Sequence, residues 1–102
     1  MISVVQRVVR SSVIIEGSVY SSIEKGLVIL CGFSKSDTHR DITWTVNKIL
    51  NLRIFSNQNG KFDFSVKDIN GELLVVSQFT LLGDVLKGRR PDFTDAMDKE
   101  KA

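Results

Sequence analysis

The sequence has one cysteine, one histidine and one proline, and each scarcity closes off a kind of chemistry or architecture. A lone Cys31 permits no internal disulfide. With His39 as its only histidine, the chain also lacks the Cys/His cluster that a structural zinc site needs. Carboxylates are then the only plausible metal ligands, and neither a metal nor another cofactor is expected. The apolar runs fall far short of the ~18 residues that span a bilayer. No basic stretch leads into a hydrophobic segment and cleavage site at the N-terminus, so no membrane association is expected and the expected location is cytoplasmic. Repeats, low-complexity tracts and interdomain linkers are missing as well. The formal net charge of +2 is too small to imply nucleic-acid binding by itself.

What is there describes one small α+β domain spanning residues 1–102. A hydrophobic fraction of 42% with 25% charged residues is ordinary for a folded protein. A chain of this length buries only somewhat over ~60% of the surface it exposes when unfolded, so its stability should be modest. Ile2 to Val9 alternates apolar and polar side chains and reads as a half-buried strand. Val13-Ile14-Ile15 and Val19-Tyr20 flank Glu16-Gly17-Ser18, where glycine supplies the positive φ of a tight hairpin. Leu27 to Phe33 is a continuous apolar run between glycine-containing segments, a buried strand in which Cys31 packs as a small hydrophobe.

Ser36, Asp37 and Thr38 are candidate N-caps for a helix over 38–51, with Ile42, Val46, Ile49 and Leu50 along one face. His39 falls in its first turn at a surface position. Trp44 lies on the opposite side, where it covers a loop, meets another subunit or stays partly exposed. Leu52 to Phe55 is extended, Asn59-Gly60 favours a type I′ turn, and Phe62 and Phe64 alternate as in a strand. Asp95 to Lys101 reads as the start of a charged helix.

Leu73-Leu74-Val75-Val76 follows Asn70-Gly71 and reads as a strand covered on both faces. It then breaks into Ser77-Gln78-Phe79-Thr80-Leu81. Hydroxyls and an amide at such a strand end either bond to neighbouring backbone or line a cavity. Without a metal, a well-placed histidine or a carboxylate pair, chemistry there would rest on positioning and oxyanion stabilisation, with the backbone amides of Phe79 and Thr80 as donors. Lys87, Arg89 and Arg90 concentrate positive charge in the loop from Gly83 to Asp92; a solvated loop is the plain alternative to a binding role.

The string Ser77-Gln78-Phe79-Thr80-Leu81 resembles the signature of the D-aminoacyl-tRNA deacylases. Further segments agree with that family in the same order: Val5-Gln6-Arg7-Val8, Lys25 to Leu30 with Gly32, Lys48 to Phe55, and Lys87-Gly88-Arg89-Arg90-Pro91 before Phe93-Thr94. The likeness runs from Met1 to about Ala96. It implies hydrolysis of the ester joining a D-amino acid to the terminal adenosine of tRNA, with a tRNA 2′-hydroxyl assisting the attacking water. Ser77, Gln78, Phe79 and Thr80 would surround the adenosine and the ester. Thr80 lacks an adjacent base, which favours a hydrogen-bonding over a nucleophilic role. Lys87, Arg89 and Arg90 would contact phosphates near the acceptor end, of RNA and not DNA.

The likeness also implies a homodimer with sites at the subunit interface, and antiparallel sheets curled into a barrel-like core with the helix packed on one side. One departure is plain. The family carries a Gly-Pro pair that reaches into the partner's pocket, where it excludes L-amino acids and is steadied by the residue matching Arg7. This sequence has no such pair, and it stops before the family's C-terminal strands. A C-terminally shortened deacylase is therefore expected, either a truncated product or a shortened descendant. The alternatives are a silent tRNA-binding or dimerisation module and a hydrolase without chiral selectivity.

Overall fold

The computed structural model describes all residues, 1–102. In chain order they form β1 (Ile2–Val8), β2 (Ser11–Ile15), β3 (Ser18–Ile23), β4 (Gly26–Gly32), α1 (His39–Asn51), β5 (Phe55–Ser56), β6 (Phe62–Phe64) and β7 (Glu72–Ser77), then a 3-10 turn at Phe79–Leu82. β4 is the central strand of a three-stranded sheet, antiparallel to β1 on one edge and parallel to β7 on the other. β2 with β3 and β5 with β6 form separate two-stranded ribbons. The fold is α+β as expected, but the sheets do not close into a barrel and the main one is mixed, not wholly antiparallel.

Side-chain alternation along β4 decides where the core sits. Leu27, Ile29 and Cys31 point to one face and pack with Ile49 of α1, Phe55 and Val66. Cys31 is buried there, as expected of a packed thiol. α1 starts at Thr38 because Asp41 reaches back: its Oδ2 accepts from the Thr38 N–H at 2.8 Å and from the Thr38 hydroxyl at 3.2 Å. The Thr38 backbone bond, and then its hydroxyl, hold the Asp41 carboxyl below its usual pKa. The amine of Met1 packs beside the helix start, 2.9 Å from Asp37. His39 is exposed in the first turn. Trp44 is 67% exposed, with the Lys48 ammonium 6.0 Å from its ring centre.

Three expectations change. β7 is an edge strand, with Leu74 buried but Val75 60% exposed; its apolar run reflects composition, not cover on both faces. The left-handed pair falls at Glu16 and Gly17 (φ 52° and 80°), the type I′ loop of the β2–β3 hairpin. The turn at Asn57–Gly60 has only Gly60 at positive φ, and Gly60 N–H bonds to the Asn57 carbonyl at 3.0 Å, so it is a type I turn with a glycine bulge and not type I′. Finally, Asp95–Lys101 is not helical. Ala96 bridges Ser34, Lys35 N–H bonds to the Asp95 carbonyl at 2.9 Å, and Met97 N–H bonds to the Phe33 carbonyl at 2.8 Å. Pairing with the chain beyond β4 outweighs helix formation in a segment that has no apolar stripe.

The radius of gyration, 15.7 Å, exceeds the ~13 Å of a compact fold this long. Apolar side chains of the β2–β3 ribbon and of the β7 edge are left uncovered, with Ile14, Val19, Tyr20 and Val75 exposed. The tightest point is instead at the β4–β7 seam. A Cβ on Gly26 would lie 1.8 Å from the Glu72 carbonyl oxygen, a backbone atom that cannot swing aside. Gly26→Ala is expected to destabilise by at least about 3 kcal/mol, which lowers the thermal midpoint by more than about 10 °C; thermal unfolding followed by circular dichroism checks it.

Candidate functional site

The register of the parallel pair fixes where the polar segment emerges. Ser77 pairs with Cys31 at the end of β7, and the Gln78 N–H makes the last bond across the seam, 2.7 Å to the Cys31 carbonyl. The chain then curls into the 3-10 turn, closed by Leu81 N–H to the Gln78 carbonyl at 3.3 Å and by Gly83 N–H to the Thr80 carbonyl at 3.1 Å. The first amides of such a turn, those of Phe79 and Thr80, have no acceptor within it. Gly32 makes the turn possible. A Cβ there would stand 2.4 Å from Leu82 Cδ2 and 2.9 Å from Leu81 Cβ, so the turn could not seat on the end of β4.

Side chains divide the signature in two. Gln78 Nε2 donates to the Thr80 hydroxyl, a neutral partner that orients Thr80 without activating it as a nucleophile. Ser77 and Phe79 line a cleft of about 520 Å³ together with Ala96, Met97, Lys99 and Ala102. Phe79 is 56% exposed and meets Phe93 edge to face, with ring centres 5.3 Å apart and planes at 69°. Sequence reasoning assigned no role to Phe93, Met97 or Lys99. The signal for Phe93 was the Asp92-Phe93-Thr94 triplet, whose flanking residues form an Asx turn.

The basic loop is pinned at its base. Asp84 and Asp92 exchange two backbone hydrogen bonds of 2.8 Å, the Leu86 N–H bonds to Asp84 Oδ1 at 2.9 Å, and the Thr94 N–H bonds to Asp92 Oδ1 at 2.8 Å. Lys87, Arg89 and Arg90 are exposed on this loop. Through Phe93 the loop abuts the cleft, so the structure brings the signature and the loop together. Arg7 stands apart. It pairs with Leu27, four residues down β4 from the Cys31–Ser77 level, or about 13 Å along the strand. There its guanidinium lies 5.1 Å from the Phe62 ring centre and bonds to the Ser56 hydroxyl at 3.4 Å. The chain holds no cluster of three or more His, Cys, Asp or Glu side chains placed to bind a metal ion, and no helix is long and apolar enough to cross a membrane.

Fold and site together define an α+β structure of mixed sheet and one main helix, with its polar constellation at the end of a parallel edge strand. Comparison with known proteins makes this specific. The profile of the D-Tyr-tRNA(Tyr) deacylases matches residues 4–102, and the chain belongs to that family. It is 54% identical to a D-aminoacyl-tRNA deacylase of Dictyoglomus turgidum over 102 residues, all of this chain and 65% of that protein. Among solved structures, the c-Myc DNA Unwinding Element Binding Protein is 48% identical with a TM-score of 0.89, over 97% of this chain and 66% of the other. A probable eukaryotic D-amino acid tRNA deacylase shares the fold at a TM-score of 0.80 and 19% identity, over 96% of this chain and 58% of its own length. The chain thus spans about two thirds of the length of the curated relatives it matches.

The loop base carries a pH signature. The Thr94 hydroxyl, and then its N–H, hold the Asp92 carboxyl below its ordinary value of 3.8. A depressed folded-state pKa means that the contribution is fully present above the unfolded value and is lost as pH falls through the folded one. A carbon-detected NMR titration of Asp92 is therefore expected to show a midpoint below that of an unfolded aspartate, about 3.9, and one that moves back towards it in Thr94→Val.

Proposed function

We propose that this chain carries the hydrolytic site of a D-aminoacyl-tRNA deacylase, cleaving the ester between a D-amino acid and the terminal adenosine of tRNA. The observation that carries the reading is the end of the β4–β7 seam. After the Gln78–Cys31 bond the chain turns, which frees the Phe79 and Thr80 amides beside an open cleft lined by Ser77 and Phe79. Water adds to the ester carbonyl, whose developing oxyanion accepts hydrogen bonds from those two amides. The ester C–O bond then breaks, and the ribose oxygen leaves with the proton that water gives up. A ribose hydroxyl of the substrate assists the water, as the family resemblance implies. Ser77, Gln78, Phe79 and Thr80 enclose the adenosine and the reacting carbonyl, with Thr80 held by Gln78 as a hydrogen-bonding group. An ester suits this site, because its alkoxide leaves without the strong general acid that an amine requires.

Lys87, Arg89 and Arg90 contact phosphates of the acceptor end, on RNA and not DNA, and residues 1–102 act as one unit in the cytoplasm without a cofactor. The working form is a homodimer with sites at the subunit boundary, where Arg7, remote from the signature within one chain, would meet the partner's side of the substrate. The open β7 edge and the exposed Val75 support such an association. A second reading, a nucleic-acid-binding module without turnover, draws support from the relative named for binding a DNA unwinding element.

Single-site variants test the assignment. Gln78→Ala and Thr80→Ala are each expected to slow release of D-tyrosine from D-tyrosyl-tRNA at least about 10-fold, while circular dichroism stays native; wild-type rates in both would remove the site. Neutralising Lys87, Arg89 and Arg90 together should flatten the log–log salt dependence of tRNA binding by about 2, at ~0.7 per lost phosphate contact. An unchanged slope would end the phosphate assignment.

A further inference from the structure

Phe93 sits where the cleft and the basic loop join, and no part of the hydrolytic scheme uses it. Its ring meets Phe79 edge to face at 5.3 Å and 69°, and both rings are open to solvent, Phe93 at 36%. Two exposed aromatic rings with planes at 69° form a corner, one wall of which is free to stack on a flat partner such as a nucleobase. The backbone holds this corner in place. Asp92 fixes the approach to Phe93 through Thr94, and Ala96 N–H bonds to the Phe93 carbonyl at 3.0 Å.

Gly83 is the complementary piece. Its φ of −64° is open to any residue, so conformational freedom does not explain a glycine there. A Cβ would lie 2.9 Å from Phe93 Cε1, so the missing side chain is what lets the ring lie against Phe79. Gly83 and Phe93 thus bracket the basic loop from Asp84 to Asp92, so the loop and the cleft meet at one contact.

We infer that Phe93 is a positioning residue, holding the Phe79 ring in an aromatic corner that stacks the terminal nucleobase of the substrate while the adjoining loop takes its phosphates. The inference deepens the proposed function and rests on it for the identity of the substrate. The corner acts on binding: a stack made equally in ground and transition states changes KM and leaves kcat nearly unaltered.

Adenosine 5′-monophosphate, with ribose 5-phosphate as the base-free control, tests the corner on the full 102-residue chain without any hydrolysis. Phe93→Leu is expected to weaken nucleotide binding at least about 10-fold and to leave ribose 5-phosphate binding unchanged, whereas Phe93→Tyr should stay within about 3-fold of wild type. Gly83→Ala should reproduce the Phe93→Leu loss with Phe93 still present, and it keeps the idea testable if Phe93→Leu fails to fold. With D-tyrosyl-tRNA, Phe93→Leu should raise KM while kcat stays within about 2-fold. Equal nucleotide affinity in folded Phe93→Leu, an equal loss for both ligands, or a wild type that does not prefer the nucleotide would each overturn the inference. Base-selective binding without hydrolysis would overturn the proposed reaction and leave the corner standing.

Discussion

Everything in this fold is referred to β4, the one strand with a neighbour on each edge and with its core-facing side chains buried. It carries a glycine at either end, and both are close-approach positions. Gly26 lets the backbone at Glu72 start the parallel pairing, and Gly32 lets the 3-10 turn settle on the far end. Between them, Leu27, Ile29 and Cys31 anchor α1, Phe55 and Val66. A side chain at either glycine meets something that cannot easily give: backbone at the first, and the root of the turn at the second. The Ser77–Thr80 segment is therefore placed by a backbone seam, with local propensity playing a small part.

That seam explains why a stretch of ordinary polar residues becomes a candidate site. The last cross-strand bond, from Gln78 to Cys31, marks where sheet pairing stops and amides are released. The side chains that follow are set by short-range contacts: Gln78 on Thr80, Phe79 on Phe93. The pinned loop then adds positive charge at the same end of the molecule. A strand end, a turn and a loop closed by paired aspartates place hydroxyls, amides, aromatic rings and cations together without a buried charge, so the arrangement carries little desolvation cost.

Much of this was legible in the sequence, because it depends on local pattern. The strands over 2–9 and 27–33, the 38–51 helix with Ile49 inward, the packed Cys31 and the exposed His39 follow from periodicity and caps, but the alternation chose the wrong face of β1: Ile2 and Val4 are exposed, and Ser3 and Val5 turn inward. The parallel direction of β7 was not legible: apolar runs say that a strand is sticky, not which neighbour it takes. Nor does the Leu73–Val76 run tell an edge strand from a central one, and Val75 is exposed. Asp95 to Lys101 looks helical by composition, yet distant pairing with Phe33 and Lys35 holds it in turns. The signature residues were found by resemblance. Phe93 belonged to a matching segment but received no role, because a ring's partner lies across a loop and leaves no periodic trace.

The apolar surface left open along β7 and the β2–β3 ribbon and the shorter span relative to the curated relatives bear on the same question: whether the site works on these residues. The decisive measurement is the release of D-tyrosine and of L-tyrosine from their tRNA esters by the purified 102-residue chain, with circular dichroism confirming the fold. The account predicts release of D-tyrosine that depends on the Ser77–Thr80 turn. A folded chain that binds tRNA and releases neither amino acid would contradict it.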